Sequence, residues 1–179
     1  GIDRCAFQIA SCPFVKHECA LTVVAGSRTE RRKWTRLLGD GSLDKLDIFV
    51  YVIGLGHYDL FLWEDNSANR LVDAIEFFEQ LAESKAFELA SSLCIVFNHY
   101  DVFREKIKRV PITVALTDFP VDELNPNDET HVAQYILRSL QRVLEENNVS
   151  HSMPLKVHRT NALSEQHMEA LFDDLVHTV

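Results

Sequence analysis

Apolar positions along the chain change period several times, and each change predicts an element. Ala20-Leu-Thr-Val-Val24 is a short apolar run ended by Gly26, the pattern of a buried strand. Thr29 to Leu38 reads as a basic helix closed by Gly39 and Gly41. Leu46 to Ile53 is a continuous β-branched and aromatic run, hence a central strand, stopped at Gly54 and Gly56. Leu71, Ile75, Phe78 and Ala82 recur at helical spacing, with Asn66 or Ser67 as N-cap. Leu93 to Phe97 is a further buried strand. Val132, Ile136, Leu140 and Val143 stripe a helix, Leu155 to His158 is a short strand, and Met168, Leu171, Leu175 and Val179 stripe the last helix. Strands alternating with helices predict an α/β domain with a parallel sheet covered on both faces. The acidic stretch Asp118 to Asp128 reads as a surface loop within one domain.

Composition narrows the function classes. The 179 residues carry 18 Lys+Arg against 27 Asp+Glu, a net charge of −9 that would repel nucleic-acid phosphates. The longest apolar runs fall far short of the roughly 18 residues of a membrane span. Four cysteines without a C-x-x-C pair suit a reducing compartment. Cys5, Cys12 and Cys19 recur every seven residues, but no histidine stands at ligand spacing, so no metal site is expected. Gly1-Ile-Asp-Arg-Cys5 lacks the Ser or Thr of an acylation signal, and no secretory leader is visible. The eight histidines are scattered and read as surface or packing residues.

Three stretches carry a more specific signal. Gly26-Ser-Arg-Thr-Glu-Arg-Arg-Lys-Trp34 is similar to G-G-Q-R-S-E-R-R-K-W, Tyr58-Asp-Leu-Phe-Leu-Trp-Glu-Asp65 to Y-D-x-x-L-x-E-D, and Asn98-His-Tyr-Asp101 with Val102 to Lys108 to N-K-x-D-x-F-x-x-K-I. In order and separation they resemble the α subunits of heterotrimeric G proteins. The resemblance covers residues 20–179, leaves 1–19 poorly matched and shows no helical insertion domain. It implies a Ras-like P-loop GTPase fold, in this chain without the first strand, Walker loop and first helix. It also implies GTP or GDP and Mg²⁺ as cofactors, and Gβγ, a G-protein-coupled receptor and an effector as partners. The implied location is cytoplasmic, at the inner face of the plasma membrane.

By that resemblance Asn98, His99 and Asp101 form the guanine-recognition loop. Asp101 would accept from the ring N–H and exocyclic amine of guanine, an arrangement of donors that adenine lacks. His99 replaces the lysine whose stem covers the base. Thr160-Asn161-Ala162 is similar to T-C-A-T, in which the alanine N–H meets the guanine oxygen. On the phosphate side, none of the six glycines precedes a lysine, so G-x-x-x-x-G-K-[ST] is absent. Gly26 is retained as a phosphate-contacting amide. Val23 and Ser27 stand where the family has the aspartate that supports magnesium and the glutamine that orients the attacking water. Valine offers no oxygen and serine is too short, so hydrolysis is not expected. Arg28, Arg31, Arg32, Lys33 and Trp34 mark a Gβγ-facing helix by resemblance, the bland alternative being a solvated basic surface.

Two readings remain open from sequence. One is a GTPase whose first half is missing from an incomplete chain; the other is a pseudo-GTPase acting through partners. The place of the absent central strand would be closed by the neighbouring strands, filled by residues before Ala20, or empty because the chain is incomplete, the reading favoured here.

Overall fold

The computed structural model describes residues 2–12, 15–31, 45–149 and 153–178. Its contacts divide into two units, Gly1–Asp44 and Lys45–Val179.

The first unit holds an antiparallel hairpin. β1 (Ile2–Cys12) pairs with β2 (Val15–Val24) from Ile2 opposite Val24 to Cys12 opposite Val15, with an irregularity between Ala10 and Cys12. The strand expected at Ala20–Val24 is therefore the second half of a longer one. β1 escapes a periodicity reading because Asp3, Arg4 and Gln8 interrupt its apolar positions; pairing with β2, not patterning, satisfies its backbone groups. Residues before Ala20 thus build a hairpin with β2. Residues 28–31 are helical, which puts the start of the expected basic helix one position early. Its remainder lies outside the described residues.

The second unit is α/β. β3 (Leu46–Gly54), β4 (Ala90–Asn98) and β5 (Leu155–Arg159) form a parallel sheet in that order. β4 lies in the middle and is buried continuously from Ser92 to Phe97, which is why its sequence reads as an unbroken apolar run. β3 alternates instead: Phe49, Tyr51 and Ile53 are buried, while Val50 and Val52 are exposed.

Helices cover both faces. α1 (Arg70–Glu83) brings Phe77 and Phe78 against the Tyr51 ring, and Phe87 meets both Phe49 and Phe78. Each such ring contributes about 1.5–3 kcal/mol by leaving water. α3 (Glu129–Glu146) packs against α1 and buries Val132, Ile136, Leu140 and Leu144. Leu144, rather than the expected Val143, ends that stripe: the buried positions run in i+4 steps from Val132, and Val143 is half-buried. On the other face, α4 (Glu165–Val176) sets Leu171, Met168 and Leu175 against Cys94, Val96 and Ile48. Lys156 and His158 of β5 both grip Asp174 of α4, at 2.6 and 2.8 Å. Burial pushes the Cys94 thiol up to about 11.

One cap differs from expectation. Asn69, not Asn66 or Ser67, caps α1 by accepting from the Leu71 and Val72 N–H groups. Ser67 is committed to a separate turn, in which its N–H and hydroxyl both donate to Asp65.

Candidate functional site: a base-recognition loop cluster

Parallel register aligns the carboxyl ends of the three strands, with Gly54 opposite Asn98 and Phe97 opposite Arg159. The turns that follow all leave the same edge, the place where open α/β sheets bind ligands. These turns are Leu55–His57, His99 at the head of α2 (Tyr100–Lys106), and 160–164 before α4.

Asn98 stitches two of them. Its Oδ1 accepts the Ala162 N–H at 3.1 Å and lies 3.4 Å from the donating Thr160 hydroxyl. Backbone bonds run beside it, Thr160 N–H to Phe97 O at 2.8 Å and Tyr100 N–H to Thr160 O at 3.0 Å. Thr160 is buried and Asn98 half-buried, so water competes little at the Thr160 end of the stitch, while its Ala162 end is exposed. Asp101, exposed on the first turn of α2, accepts from Asn161 Nδ2 at 3.0 Å. The structure therefore brings together Asn98, Asp101, Thr160, Asn161 and Ala162, residues that sequence separates by about sixty positions.

His99 takes the left-handed backbone conformation, φ 54° and ψ 36°, and its ring packs on His57 with centroids 4.7 Å apart. A Cβ on Gly56 would lie 3.0 Å from the Cβ and carbonyl oxygen of His99 and from the Cβ of Val102. Only glycine allows so close an approach without a shift. Lys106 ties the same turn down, donating to Gly56 O at 2.8 Å and to Asp59 at 2.7 Å. Burial, then the neighbouring His99, Arg70 and Lys106, hold the His57 imidazole below its ordinary pKa. Tyr100 lies beneath Arg159, whose guanidinium carbon is 5.2 Å from the ring centroid, and its hydroxyl is buried without a hydrogen-bond partner. Desolvation raises that phenol's pKa. His57, Tyr100 and Arg159 escaped the sequence reading because no local pattern marks them. The N-x-x-D loop and Thr160-Asn161-Ala162 had a signal, both through the family resemblance.

The other predicted residues lie in the first unit. Val23 is 51% exposed on β2. Gly26 is exposed, and a Cβ there would meet nothing within 4 Å among the described residues. Ser27 sits at the start of the helical turn; its carbonyl accepts from the Glu30 and Arg31 N–H groups, and its hydroxyl lies 3.3 Å from that of Thr29. Ser27-x-x-Glu30 is the sequence of a capping box, but the Ser27 hydroxyl lies against Thr29 and the Glu30 N–H goes to the Ser27 carbonyl instead. Arg31 Nε donates to Gly26 O at 3.2 Å, and Arg28 is exposed. Arg32, Lys33 and Trp34 lie outside the described residues.

The family model for the G-protein alpha subunit matches residues 1–179. The chain belongs to the G-protein alpha subunit family. It is 31% identical over 183 residues to the guanine nucleotide-binding protein alpha-12 subunit of Dictyostelium discoideum, covering 100% of this chain and 46% of that relative. It is 29% identical to the alpha-17 subunit of Caenorhabditis briggsae, covering 87% of this chain and 40% of the relative. With the alpha-3 subunit of Caenorhabditis elegans the identity is 26%, over 98% of this chain and 44% of the relative. The chain thus spans less than half the length of these G-alpha relatives. The family match begins at residue 1 and so includes the β1–β2 hairpin that the quoted motifs leave out. Among the described residues, no helix of this G-alpha chain is long and apolar enough to cross a membrane.

Proposed function

We propose that this chain acts as a G-protein α-subunit signalling portion that recognises partners and does not hydrolyse GTP. The observation that carries the reading is the Val23–Ser27 turn. Where a GTPase of this family needs a carboxylate near magnesium and an amide side chain beside the attacking water, this turn offers an exposed isopropyl group and a serine whose carbonyl starts a helix. That donor set does not fit Mg²⁺, and no catalytic step is routed through the ion. Of the phosphate-side residues that the resemblance implies, this turn keeps the backbone amide of Gly26. The base side is chemically suited to guanine, with Asn98, Asp101, Thr160 and Ala162 gathered at one edge of the sheet. Base contacts without phosphate contacts should give GDP binding of about 0.1 mM or weaker, because few hydrogen bonds are available and each contributes modestly.

In this reading the chain works beneath a G-protein-coupled receptor at the cytoplasmic face of the plasma membrane, with Gβγ and an effector as its partners. Arg28, Arg31, Arg32, Lys33 and Trp34 are the Gβγ-facing residues. A tryptophan among arginines is a typical hot-spot composition. Val23 and Ser27 would limit hydrolysis equally in a longer protein that contained this sequence. A Gβγ pull-down with GDP, with GTP and with neither tests the reading: equal recovery in all three is expected. Trp34→Ala should remove most of the signal, a truncation that commonly costs about 2 kcal/mol at an interface centre. Nucleotide-dependent recovery would overturn it.

A further inference from the structure

The base-recognition carboxylate already has an occupant. Asn161 Nδ2 donates to Asp101 Oδ2 at 3.0 Å, and the side chain is held in that orientation because its Oδ1 accepts the Leu163 N–H at 2.9 Å. The two bonds fix which end of the carboxamide faces Asp101: the oxygen must accept from the backbone, so the NH₂ is the end that meets the carboxylate. The loop behind it is also fixed, since the Asn161 carbonyl accepts from Ser164 N–H at 2.9 Å and the Asn161 N–H donates to His167 Nδ1 at 3.1 Å. The chemistry of the contact is that of the ligand it would displace. An amide NH₂ beside a carboxylate presents the same kind of donor as the exocyclic amine of guanine. The second base-reading group is engaged as well: the Ala162 N–H points to Asn98 Oδ1 at 3.1 Å.

We infer that Asn161 is an internal competitor for Asp101, a plug that lowers the affinity of this loop cluster for a guanine base. The inference rests on the reading of Asp101 as a base acceptor and adds to it a cause of weak binding separate from the phosphate side. Asn161 takes one acceptor position on Oδ2, so a base that uses both carboxylate oxygens must share that oxygen with the carboxamide or displace it. A side chain at 161 that keeps the backbone acceptor but cannot reach Asp101 should therefore open the site.

The test uses the full 179-residue chain and guanosine, a probe without phosphates, titrated by NMR beside adenosine. Asn161→Ser retains an oxygen for the Leu163 N–H, and Asn161→Ala removes the group altogether; using both guards against a variant that disturbs the loop. Both should bind guanosine about five- to tenfold more tightly than the parent, with adenosine unchanged, since one hydrogen bond to a charged acceptor no longer has to be shared or displaced. Adding Asp101→Ala to either should abolish the gain. Unchanged guanosine affinity in both Asn161 variants, with Asp101→Ala still weakening binding, would overturn the plug and leave the base site standing. If Asp101→Ala has no effect in any background, the base site itself fails and the plug with it.

Discussion

The base-side turns and the phosphate-side turn of this chain carry fragments of the same family pattern but differ in what their residues do in the fold. Asn98 holds the β4–α2 turn to the turn before α4 through a backbone N–H and a hydroxyl, and Gly56 lets another turn press against His99. Those residues have structural work whether or not a nucleotide binds. At the other turn Val23 is exposed, a Cβ on Gly26 would meet no described residue within 4 Å, and Ser27 begins a helix. A recognition motif can therefore persist for structural reasons, and its presence alone does not report nucleotide binding.

One substitution made in both regions should separate them most widely. Gly56→Ala places a Cβ 3.0 Å from a backbone oxygen and two side-chain carbons, an overpacking that should cost about 2–3 kcal/mol. Gly26→Ala meets nothing within 4 Å among the described residues and should stay within about 0.5 kcal/mol. Urea denaturation of the two variants measures the difference, and equal effects would break the comparison.

Next in size is the stitch itself. Asn98→Ala removes the acceptor of two hydrogen bonds between turns and should lower stability by about 2 kcal/mol without any nucleotide present. Val23→Asp, at an exposed strand position, should change it by about 0.5 kcal/mol or less. If Asn98→Ala is neutral in nucleotide-free protein, the structural explanation for its retention is wrong.

Much of this contrast was legible in the sequence, and the rest was hidden for physical reasons. β4 declared itself because both its faces are buried, and α3 because its apolar stripe repeats over several turns. Val23 and Ser27 were readable as departures from the family pattern because side-chain chemistry does not depend on position in space. β1 stayed hidden, since a strand defined by pairing across a hairpin needs no apolar alternation of its own. The α1 cap was misplaced because Asn66, Ser67 and Asn69 are all competent caps, and only the Asp65 turn decides among them. The Asn161–Asp101 contact joins residues sixty apart, and the His57–His99 stack joins two loops. Neither leaves a local signature.

A smaller effect sharpens the base-side account. Burial and nearby cations hold the His57 pKa below its ordinary value of 6.5, so the unfolded chain binds the proton more readily than the folded one. Its neutral form favours the fold at pH values above 6.5, and that contribution is lost as the pH falls below 6.5 through the lowered folded value. The groups facing it are His99, Arg70, Lys106 and the opposing Asp59. Thermal melts between neutral and mildly acid pH should show a decline that His57→Gln reduces. A parent and variant with parallel profiles would remove His57 from the account.

The central claim, that recognition residues survive here without the catalytic ones, is tested most directly by phosphate release from GTP with Mg²⁺ at neutral pH. The account predicts no release above a protein-free control. Turnover that disappears on Asp101→Ala would contradict it, because a contaminating hydrolase would not respond to that change.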